Sequence, residues 1–564
     1  MPKEFQGVAS TRQAYAAANQ AQALARAIIK AKEDGNGTFD SANAESLIAK
    51  VDPHIAAFVS ALPDTKTATA QQVILDSIRE GIQMYQKNFG FAPDGGLIHT
   101  AIQTGLAAAS NQFAENLKSG NFANATYDDV GNTSGGSMVT NVAQLAILQA
   151  FSEAIPFGGY LPMESGLTSN LIITMNRALS KTGDYNEHDK LDGIAGGKTF
   201  MSSLRTEKAT STDNANFTAK IKYAKDDTTG TSIVPASVKV YINGLIAAAA
   251  PAEQPRTNKD FNFASVNNFV LKVGGADKAY SVTATVKGKT GDVTVVVSPA
   301  LEAGTKVLIE AAVDYEDKEN KDRRPEVEAT AENYKFGTHQ FSGIYRVTAE
   351  AETQWKKEVG LSYAARATLA LRTQANSERH HRAVRAMYRI GENFAHSYDT
   401  KSSTRMDERT RASLFEDAFL AITQADQAML ERTGEYGISV LYVGSMGKSF
   451  FESLPESLFK PSGLPNVPNI HRIGTLKGQF QVFYVPNLLG ETGNSFEILA
   501  IGRSSQIGLN PYLIGDATGA IVEEVPNNYD LTKGMTYFQV VGDSVNPFAQ
   551  AAKGAALITL TNVE

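Results

Sequence analysis

Residues 437–455, GISVLYVGSMGKSFFESLP, contain the pattern from which the fold class follows most directly. The first eight residues are almost continuously apolar, which is the length and character of a strand buried on both faces. Gly444 ends this run, and Phe450 and Phe451 follow in a segment that predicts a helix. A buried strand that leads through a tight turn into a helix predicts a core of mixed α and β structure.

The turn in this stretch, GSMGKS (444–449), stands between a strand and a helix, as a phosphate-binding P-loop does. A P-loop needs its first glycine five positions before the glycine that precedes the lysine, and Tyr442 occupies that position. Gly444 comes two residues later, so the loop is too short to wrap a phosphate. We interpret GSMGKS as a tight turn and keep a P-loop-like nucleotide-binding enzyme as an alternative.

The flanking sequence extends the mixed pattern in both directions. Upstream, a helix is predicted by one apolar stripe, made of Leu414, Phe415, Ala418, Phe419, Ile422, Ala425 and Met429. Gly434 follows the stripe in the position of a C-cap. Further upstream, residues 345–354 predict a strand, and downstream, residues 470–564 predict strands and loops. These segments together predict an α+β core.

A separate β module is predicted between residues 204 and 330. Its segments alternate apolar and polar residues and are separated by glycine turns. The predicted strands are Phe217–Lys225, Ser237–Asn243, Phe269–Val273, Tyr280–Lys287, Asp292–Ser298 and Lys306–Tyr315. Six or seven short strands in about 110 residues favour an immunoglobulin-like sandwich. Polar flanks at 206–214 and 316–324 indicate an insertion, and we expect residues 212–318 to fold alone.

The first 155 residues are rich in Ala and Gln and predict a helical region. Apolar residues recur at helical spacing near 10–32, 42–62, 73–85, 97–113 and 139–155. A stretch rich in Gly, Ser, Asn and Thr at 120–137 predicts a loop or linker. Residues 181–200 are polar and punctuated by glycine, which favours a long exposed hairpin or loop.

Composition argues against several kinds of function. The 564 residues carry a net charge of −7, whereas a general nucleic-acid binder presents an overall basic surface. The chain has no cysteine, and its eight histidines show no metal-ligand spacing. An acidic group at Asp184, Glu187, Asp189 and Asp192 lacks the spacing of a calcium loop, and no G-x-S-x-G elbow is present. We expect no catalytic residue, no cofactor and no metal site.

The sequence shows no membrane or secretion signal. Its start, MPKEFQGVAS, has no apolar h-region, and its most apolar stretch, 244–252, is far shorter than the ~20 residues that cross a bilayer. We therefore expect a protein that is made and kept in a cytoplasm and has no membrane partner.

Three stretches, in chain order, resemble segments of the major capsid proteins of tailed bacteriophages. LPMESGLTSNLIITMNRALSKTGDYNEHDKLDG (161–193) is similar to the segment that leads from the N-arm into the E-loop. GLSYAARATLALRTQANSERHHRAVRAMYRIGENF (360–394) stands in the place of the spine helix of the P-domain. Residues 437–455, followed by IGTLKGQFQVFYVPN (473–487) and FEILAIGRSSQIGLNPYLI (496–514), resemble the A-domain.

The resemblance implies an α+β, HK97-like capsid fold with an inserted immunoglobulin-like β-sandwich and a helical N-terminal extension. The implied divisions are a helical extension or N-arm (1–140), an N-arm and E-loop region (141–203), the inserted β domain (204–330), a P-domain with its spine helix (331–435), an A-domain (436–525) and return strands to the P-domain (526–564). Residues 1–140 depart from the family pattern, and whether they are cleaved on maturation stays open.

The resemblance also implies a function without turnover. Copies of the chain would form hexamers and pentamers that close into an icosahedral head around double-stranded DNA, bound without sequence specificity. Portal, scaffold and decoration proteins are the implied further partners. The location would be the virion capsid, assembled in the host cytoplasm. Another structural assembly protein, such as a surface-layer or tail component, remains an alternative.

Four arginines within the spine-helix stretch recur at spacings of three, three and four: Arg379, Arg382, Arg385 and Arg389. On a helix such spacings place residues near one face. One interpretation is a solvated or ion-paired face, as most charge runs are. The functional interpretation is a basic stripe that contacts acidic neighbouring subunits or packaged DNA.

Overall fold

The computed structural model describes residues 23, 64–105, 144–161, 163, 168–251, 260–265, 269–273, 276–321, 323–358, 363–400, 411–525 and 532–563. The helices predicted near 10–32 and 42–62 lie outside the described residues except for Ala23, and the linker predicted at 120–137 lies outside them entirely. The chain divides into two compact units. The first comprises residues 1–172 and 333–564, and the second comprises residues 173–332.

Helices are concentrated in the first unit. They are α1 (Asp64–Phe89), α2 (95–105), α3 (144–152), α5 (Ala349–Glu358), α6 (Tyr363–Gly391), α7 (Arg411–Thr433) and α8 (Ser445–Glu452), whereas the short α4 (Lys318–Lys321) belongs to the second unit. The predicted helical patterns at 73–85, 97–113 and 139–155 correspond to α1, α2 and α3, within the described residues. The α7 helix ends as predicted, with Gly434 at a φ of 75° and its N–H bonded to Leu430 O.

The larger sheet of the first unit runs in the order β14-β25-β20-β15-β18-β17-β16, with β19 beside β20. These strands are β14 (Ala395–Asp399), β15 (Ile438–Val443), β16 (Phe459–Pro461), β17 (His471–Leu476), β18 (Phe480–Tyr484), β19 (Glu491–Thr492), β20 (Ser495–Gly502) and β25 (Ala555–Thr561). The pairs β14·β25 and β15·β18 are parallel, and the other pairs are antiparallel.

Two hydrophobic cores cover the two faces of this sheet, which explains the continuous apolar run of β15. Val440 and Tyr442 point into a core with residues of α1, α2, α3 and α6, such as Ile82. Leu441 and Val443 point into the opposite core with residues of α7 and α8. Because both faces are buried, polar residues have no place at 440–443, and the pattern loses the alternation of a half-exposed strand.

A second sheet of the first unit runs in the order β13-β23-β22, and a third runs in the order β1-β21-β24. Their strands are β13 (His339–Thr348), β22 (Asp516–Val525), β23 (Thr532–Val541), β1 (Gly158–Tyr160), β21 (Tyr512–Ile514) and β24 (Ser544–Val545). The strand predicted at 345–354 is wrong in its second half, because α5 begins at Ala349. Residues 349–358, AEAETQWKKE, are mostly good helix formers, with Glu350 and Glu352 in the first turn.

The second unit consists mainly of two antiparallel sheets over one hydrophobic core. One runs β3-β11-β5-β6, and the other runs β4-β10-β9-β7 with β8 also paired to β9. The strands are β3 (Leu204–Lys208), β4 (Asn216–Lys220), β5 (Ile233–Ile242), β6 (Leu245–Ala249), β7 (Phe261–Ala264), β8 (Phe269–Val273), β9 (Ala276–Lys287), β10 (Asp292–Ser298) and β11 (Val307–Val313). The strand predictions at 269–273 and 292–298 match β8 and β10, whereas β3, β6 and β7 were missed.

The second unit begins earlier in the chain than the β module predicted at 204–330. The chain enters it within β2 (Thr168–Ala178) and leaves it within β12 (Val327–Gly337), and these two strands pair with each other. Arg177 and Glu332 form an ion pair of 2.5 Å between them, and Leu179 N donates to Glu326 O. Residues 173–203 therefore belong to the same compact unit as the sandwich. The immunoglobulin-like character of the sandwich stays a prediction.

Candidate functional site

The arginines of α6 do not form a single stripe. At 3.6 residues per turn, Arg382, Arg385 and Arg389 fall within an arc of about 60°, and Arg379 lies about 60–120° away from them. The structure reflects this angle. Arg382, Arg385 and Arg389 are exposed, whereas the side chain of Arg379 is only 13% exposed. The helical angles already separate Arg379 from the other three arginines, but the spacing of three, three and four does not make this evident.

Arg379 is held by two carboxylates inside the first unit. Its Nε donates to Asp543 Oδ2 at 2.5 Å and its Nη2 to Asp543 Oδ1 at 2.7 Å, which makes a bidentate pair. Nη2 also donates to Asp516 Oδ1 at 2.8 Å, and Gln539 Nε2 donates to the same oxygen at 3.3 Å. Arg379 therefore joins α6 to β22 and to the turn between β23 and β24.

Burial governs the protonation of this cluster. It raises the pKa of Asp516 above its ordinary value, and the nearby Arg379 guanidinium only partly opposes that rise. Burial alone would lower the pKa of Arg379, but the Asp516 and Asp543 carboxylates outweigh it and leave the pKa above its ordinary range. A charged Arg379 thus faces the carboxyl groups of Asp516 and Asp543, and burial favours the protonated form of Asp516.

The three exposed arginines border a groove of about 630 Å³ in the first unit. One wall is the face of α6 that carries Arg382, Arg385 and Arg389, and the other is formed by Tyr512 and by residues 543–545. Among the described residues, no carboxylate lies within salt-bridge distance of these three guanidinium groups. Three cationic side chains therefore line one open groove, and Glu378 is the exposed carboxylate of its described lining.

The two histidines beside the arginines have different environments. His380 is turned to the sheet, where its Nε2 lies 3.0 Å from the Tyr442 hydroxyl. Burial lowers the pKa of His380 to about 3, with a smaller contribution from His381, so its ring is neutral at physiological pH. His381 lines the groove, and its Nδ1 lies 2.8 Å from Ser377 O. Only His381 can meet a ligand in the groove.

The GSMGKS turn lacks the geometry of a phosphate site. The N-terminus of α8, where a phosphate would bind, is occupied by the Glu491 carboxylate, which accepts from Met446 N and Ser445 Oγ at 2.6 Å each. Lys448 Nζ donates to Asn466 Oδ1 at 2.6 Å and lies over the Tyr484 ring. The lysine therefore points to neighbouring strands and loops, and a carboxylate already satisfies the helix terminus.

The acidic group at 184–192 works as a set of local turn contacts. Asp184 Oδ2 accepts from Thr199 N, Asp189 Oδ2 from Asn186 N, and Asp192 from the backbone and side-chain amides of Asn176. Glu187 is exposed beside His188. Within the described ranges, no cluster of three or more His, Asp or Glu side chains could hold a metal ion.

A second open cleft, of about 870 Å³, was missed by sequence reasoning. Asp94 and Arg503 line it and lie 3.7 Å apart, and the Arg503 guanidinium lies over the Phe91 ring. Asp94 also caps α2, because its Oδ1 accepts from Leu97 N. Burial raises the pKa of Asp94, and Arg503 opposes the rise. Asp94 and Arg503 are 409 positions apart in the chain, so no local sequence pattern predicts their contact.

In the described part of the chain, no helix combines the length and apolar character that spanning a membrane requires.

No protein-family model matches the chain, and no curated protein matches it in sequence. Several solved structures resemble it. The capsid of the jumbo bacteriophage PhiKZ is 8% identical over 70% of this chain and 89% of that chain, with a TM-score of 0.31. The mature capsid of bacteriophage PhiM1 is 11% identical over 42% of this chain and 76% of that chain, with a TM-score of 0.26. An encapsulin complex from Synechococcus elongatus is 12% identical over 42% and 78%, with a TM-score of 0.25.

Proposed function

We propose that this chain is a structural shell subunit, the major capsid protein of a tailed bacteriophage with an HK97-like fold. Copies assemble into hexamers and pentamers and close into an icosahedral head that encloses double-stranded DNA. The subunit performs no chemistry. Its contribution is the repeated use of the same surfaces in slightly different settings, as a closed shell requires.

The arrangement of α6 carries this proposal. Residues 360–394 resemble a spine helix, and Tyr363–Gly391 within them form one 29-residue helix. At about 1.5 Å per residue it is about 43 Å long. Its second half contributes Ala383, Val384 and Met387 to the core under the large sheet, while its first half packs Ala367 and Leu371 against β13 and β23. A single rod therefore joins two sheets, which suits a subunit that must remain rigid between contacts.

The sheet that follows α6 in the chain supports the same proposal. Residues 437–455, 473–487 and 496–514, which resemble an A-domain, form β15, α8, β17, β18, β20 and β21 in the first unit. The strands from 438 to 502 belong to one sheet, and the last strand of the chain, β25, returns to its interior between β14 and β20. The chain order implied by the resemblance is thus compatible with one continuous core.

The partners and the location of the subunit belong to the same proposal. A head needs a portal vertex and a scaffold during assembly, and decoration proteins are compatible with an outward β module. Assembly would take place in the host cytoplasm, and the mature location would be the virion capsid. The helical extension at 1–140 would act as an N-arm, since long arms add stability to a shell through many modest contacts.

Electron microscopy of the purified full chain tests the proposal. We expect hexamers, pentamers, tubes or closed shells, and sedimentation velocity should show the corresponding large species. A discrete small oligomer at all concentrations would refute the capsid function. Regular two-dimensional sheets or stacked rings would instead favour a surface-layer or tail component.

A further inference from the structure

The groove beside α6 has a charge distribution that the packing of the subunit does not require. The acidic side chain in its wall, Asp543, is 1% exposed and is bound on both oxygens by Arg379. Both of its oxygens therefore already accept hydrogen bonds from Arg379, and Asp543 is not available as a counterion for the groove arginines. Glu378, at one end, is the remaining carboxylate of the described lining. The groove thus presents three exposed guanidinium groups against one exposed carboxylate, which leaves it with a net positive charge.

The arginines form a row rather than a pocket. From Arg382 to Arg389 the helix rises by about 10 Å, and the three side chains share an arc of about 60°. One strand of duplex DNA advances about 3.4 Å per phosphate along its axis, so such a row spans about three phosphates. Guanidinium groups bind phosphates well, because their planar fork can donate two hydrogen bonds at once.

The lining favours a phosphate backbone over an acidic protein segment. Protein interfaces depend on buried apolar or aromatic anchors that fill desolvated pockets. The aromatic residue of this lining, Tyr512, is 2% exposed and packs in the core of its own chain. The remaining wall is mostly polar, with Gln374, Ser377, His381 and Ser544, and its apolar part is limited to Ala386 and Val545. A surface of this kind supplies charge and hydrogen-bond donors along a line, which is how proteins hold nucleic acid without reading its sequence.

We propose that the groove lined by Arg382, Arg385 and Arg389 binds the phosphodiester backbone of duplex DNA, without sequence specificity. This inference rests on the proposed shell function. It identifies the surface of the subunit that contacts the DNA enclosed by the shell. The chain as a whole is acidic, with a net charge of −7, so the positive charge of this groove is a local feature. Contact is therefore local and salt-sensitive, which holds the DNA against the wall without condensing it there.

The test compares two triple variants of the full chain. R382Q/R385Q/R389Q neutralises the groove, and K287Q/K289Q/K306Q removes the same charge from exposed positions of the second unit. Binding of a fluorescent 30-base-pair duplex of random sequence is measured by anisotropy from about 25 to about 200 mM salt. Shell formation by each protein is followed separately by electron microscopy. At ~0.9 ions per phosphate, three lost contacts should reduce the slope of log K against log salt by about 2.7.

The expected result is weaker, less salt-dependent binding by the groove variant, near-normal binding by the lysine variant, and shells from both. Equal loss of binding in the two variants would overturn the inference, because net charge alone would then explain it. It would also be overturned if the wild type fails to bind DNA at the lowest salt. A groove variant that binds DNA normally and no longer assembles would assign the groove to acidic neighbouring subunits and overturn it too. Wild-type DNA binding without any shell would refute the proposed function and leave the groove assignment standing.

Discussion

Asp543 and Asp516 can each be replaced by asparagine. We expect these two variants to show that the ion pair of Arg379 with Asp543 stabilises the fold and that the pair with Asp516 contributes little. Asp543 and Asp516 share one guanidinium, and Asn is nearly isosteric with Asp, so the two substitutions differ only in what each oxygen does. Both oxygens of Asp543 accept from Arg379, and its side chain is 1% exposed. An Asn at 543 must therefore turn an N–H₂ donor towards an arginine donor.

Asp516 is placed differently. Only its Oδ1 accepts a hydrogen bond from the described residues, from Arg379 and from Gln539, and its side chain is 19% exposed. An Asn at 516 can keep its carbonyl oxygen in that position and turn its amide nitrogen away. It also removes a carboxylate whose ionised form burial disfavours, since burial raises the pKa of Asp516.

The magnitudes follow from these contacts. Asp543→Asn should destabilise the first unit by about 3–5 kcal/mol, which is the usual cost of breaking a buried ion pair. Asp516→Asn should change its stability by no more than about 1 kcal/mol. Because the long helices lie in the first unit, urea unfolding followed by the helical circular dichroism signal reports on that unit. Arg382→Gln, on the exposed face of α6, is the control and should be nearly neutral.

The pH dependence of Asp516→Asn provides a second test. A carboxylate whose folded-state pKa is raised costs stability when it is ionised. The cost is absent below the unfolded-state pKa, about 3.8, and is complete above the folded-state pKa. The stability of Asp516→Asn relative to the wild type should therefore rise as pH rises through that window. Equal losses for the two amide variants, or a larger loss for Asp516→Asn, would refute this account of the cluster.

Four further outcomes are expected. Lys448→Ala should leave shell formation intact, and calorimetry should detect no ATP binding by the wild type, because Glu491 occupies the N-terminus of α8. Glu491→Ala should destabilise the first unit by about 1 kcal/mol through loss of that cap, measured by urea unfolding followed by the helical circular dichroism signal. Residues 173–332, expressed alone, should give a β-type circular dichroism spectrum and a cooperative melt at a higher temperature than residues 212–318, because the longer piece keeps β3 and parts of β2 and β12. Ile309→Ala, in the fully buried core of the sandwich, should lower the stability of that piece by about 2–5 kcal/mol, whereas the exposed Thr285→Ala should not.

Each of these four predictions would be contradicted by a specific result. Micromolar ATP binding that Lys448→Ala abolishes would restore the enzyme alternative. An unchanged stability in Glu491→Ala would show that solvent replaces the carboxylate at the helix end. If residues 173–332 are unfolded alone, the division between the two units is wrong. A loss in Thr285→Ala as large as that in Ile309→Ala would place both faces of β9 in a core.

Local chemistry made much of the fold predictable. The stripe that ends at Gly434 and the alternation at 292–298 each show the period of one kind of element, and the apolar run at 437–444 has the length of a buried strand; each was predicted correctly. The strand predicted at 345–354 failed at its second half because Tyr345 and Val347 end a strand, while the following residues have good helix propensity. Short strands such as β6 and β7 were missed because four or five residues show too little alternation.

Residue types at fixed spacing were enough to predict the α+β class, a separate β module, a long helix within 360–394 and the failure of GSMGKS as a P-loop. Which charges meet became known from the folded chain alone. Arg379 finds Asp516 and Asp543 more than 130 positions away, Asp94 finds Arg503, and Glu491 occupies the end of α8. The physical reason is that helical and strand periods constrain neighbours along the chain, whereas an ion pair depends on where folding brings distant segments together. For that reason the sequence indicated four arginines on one helix, and the structure separated one buried ion pair from three exposed cations.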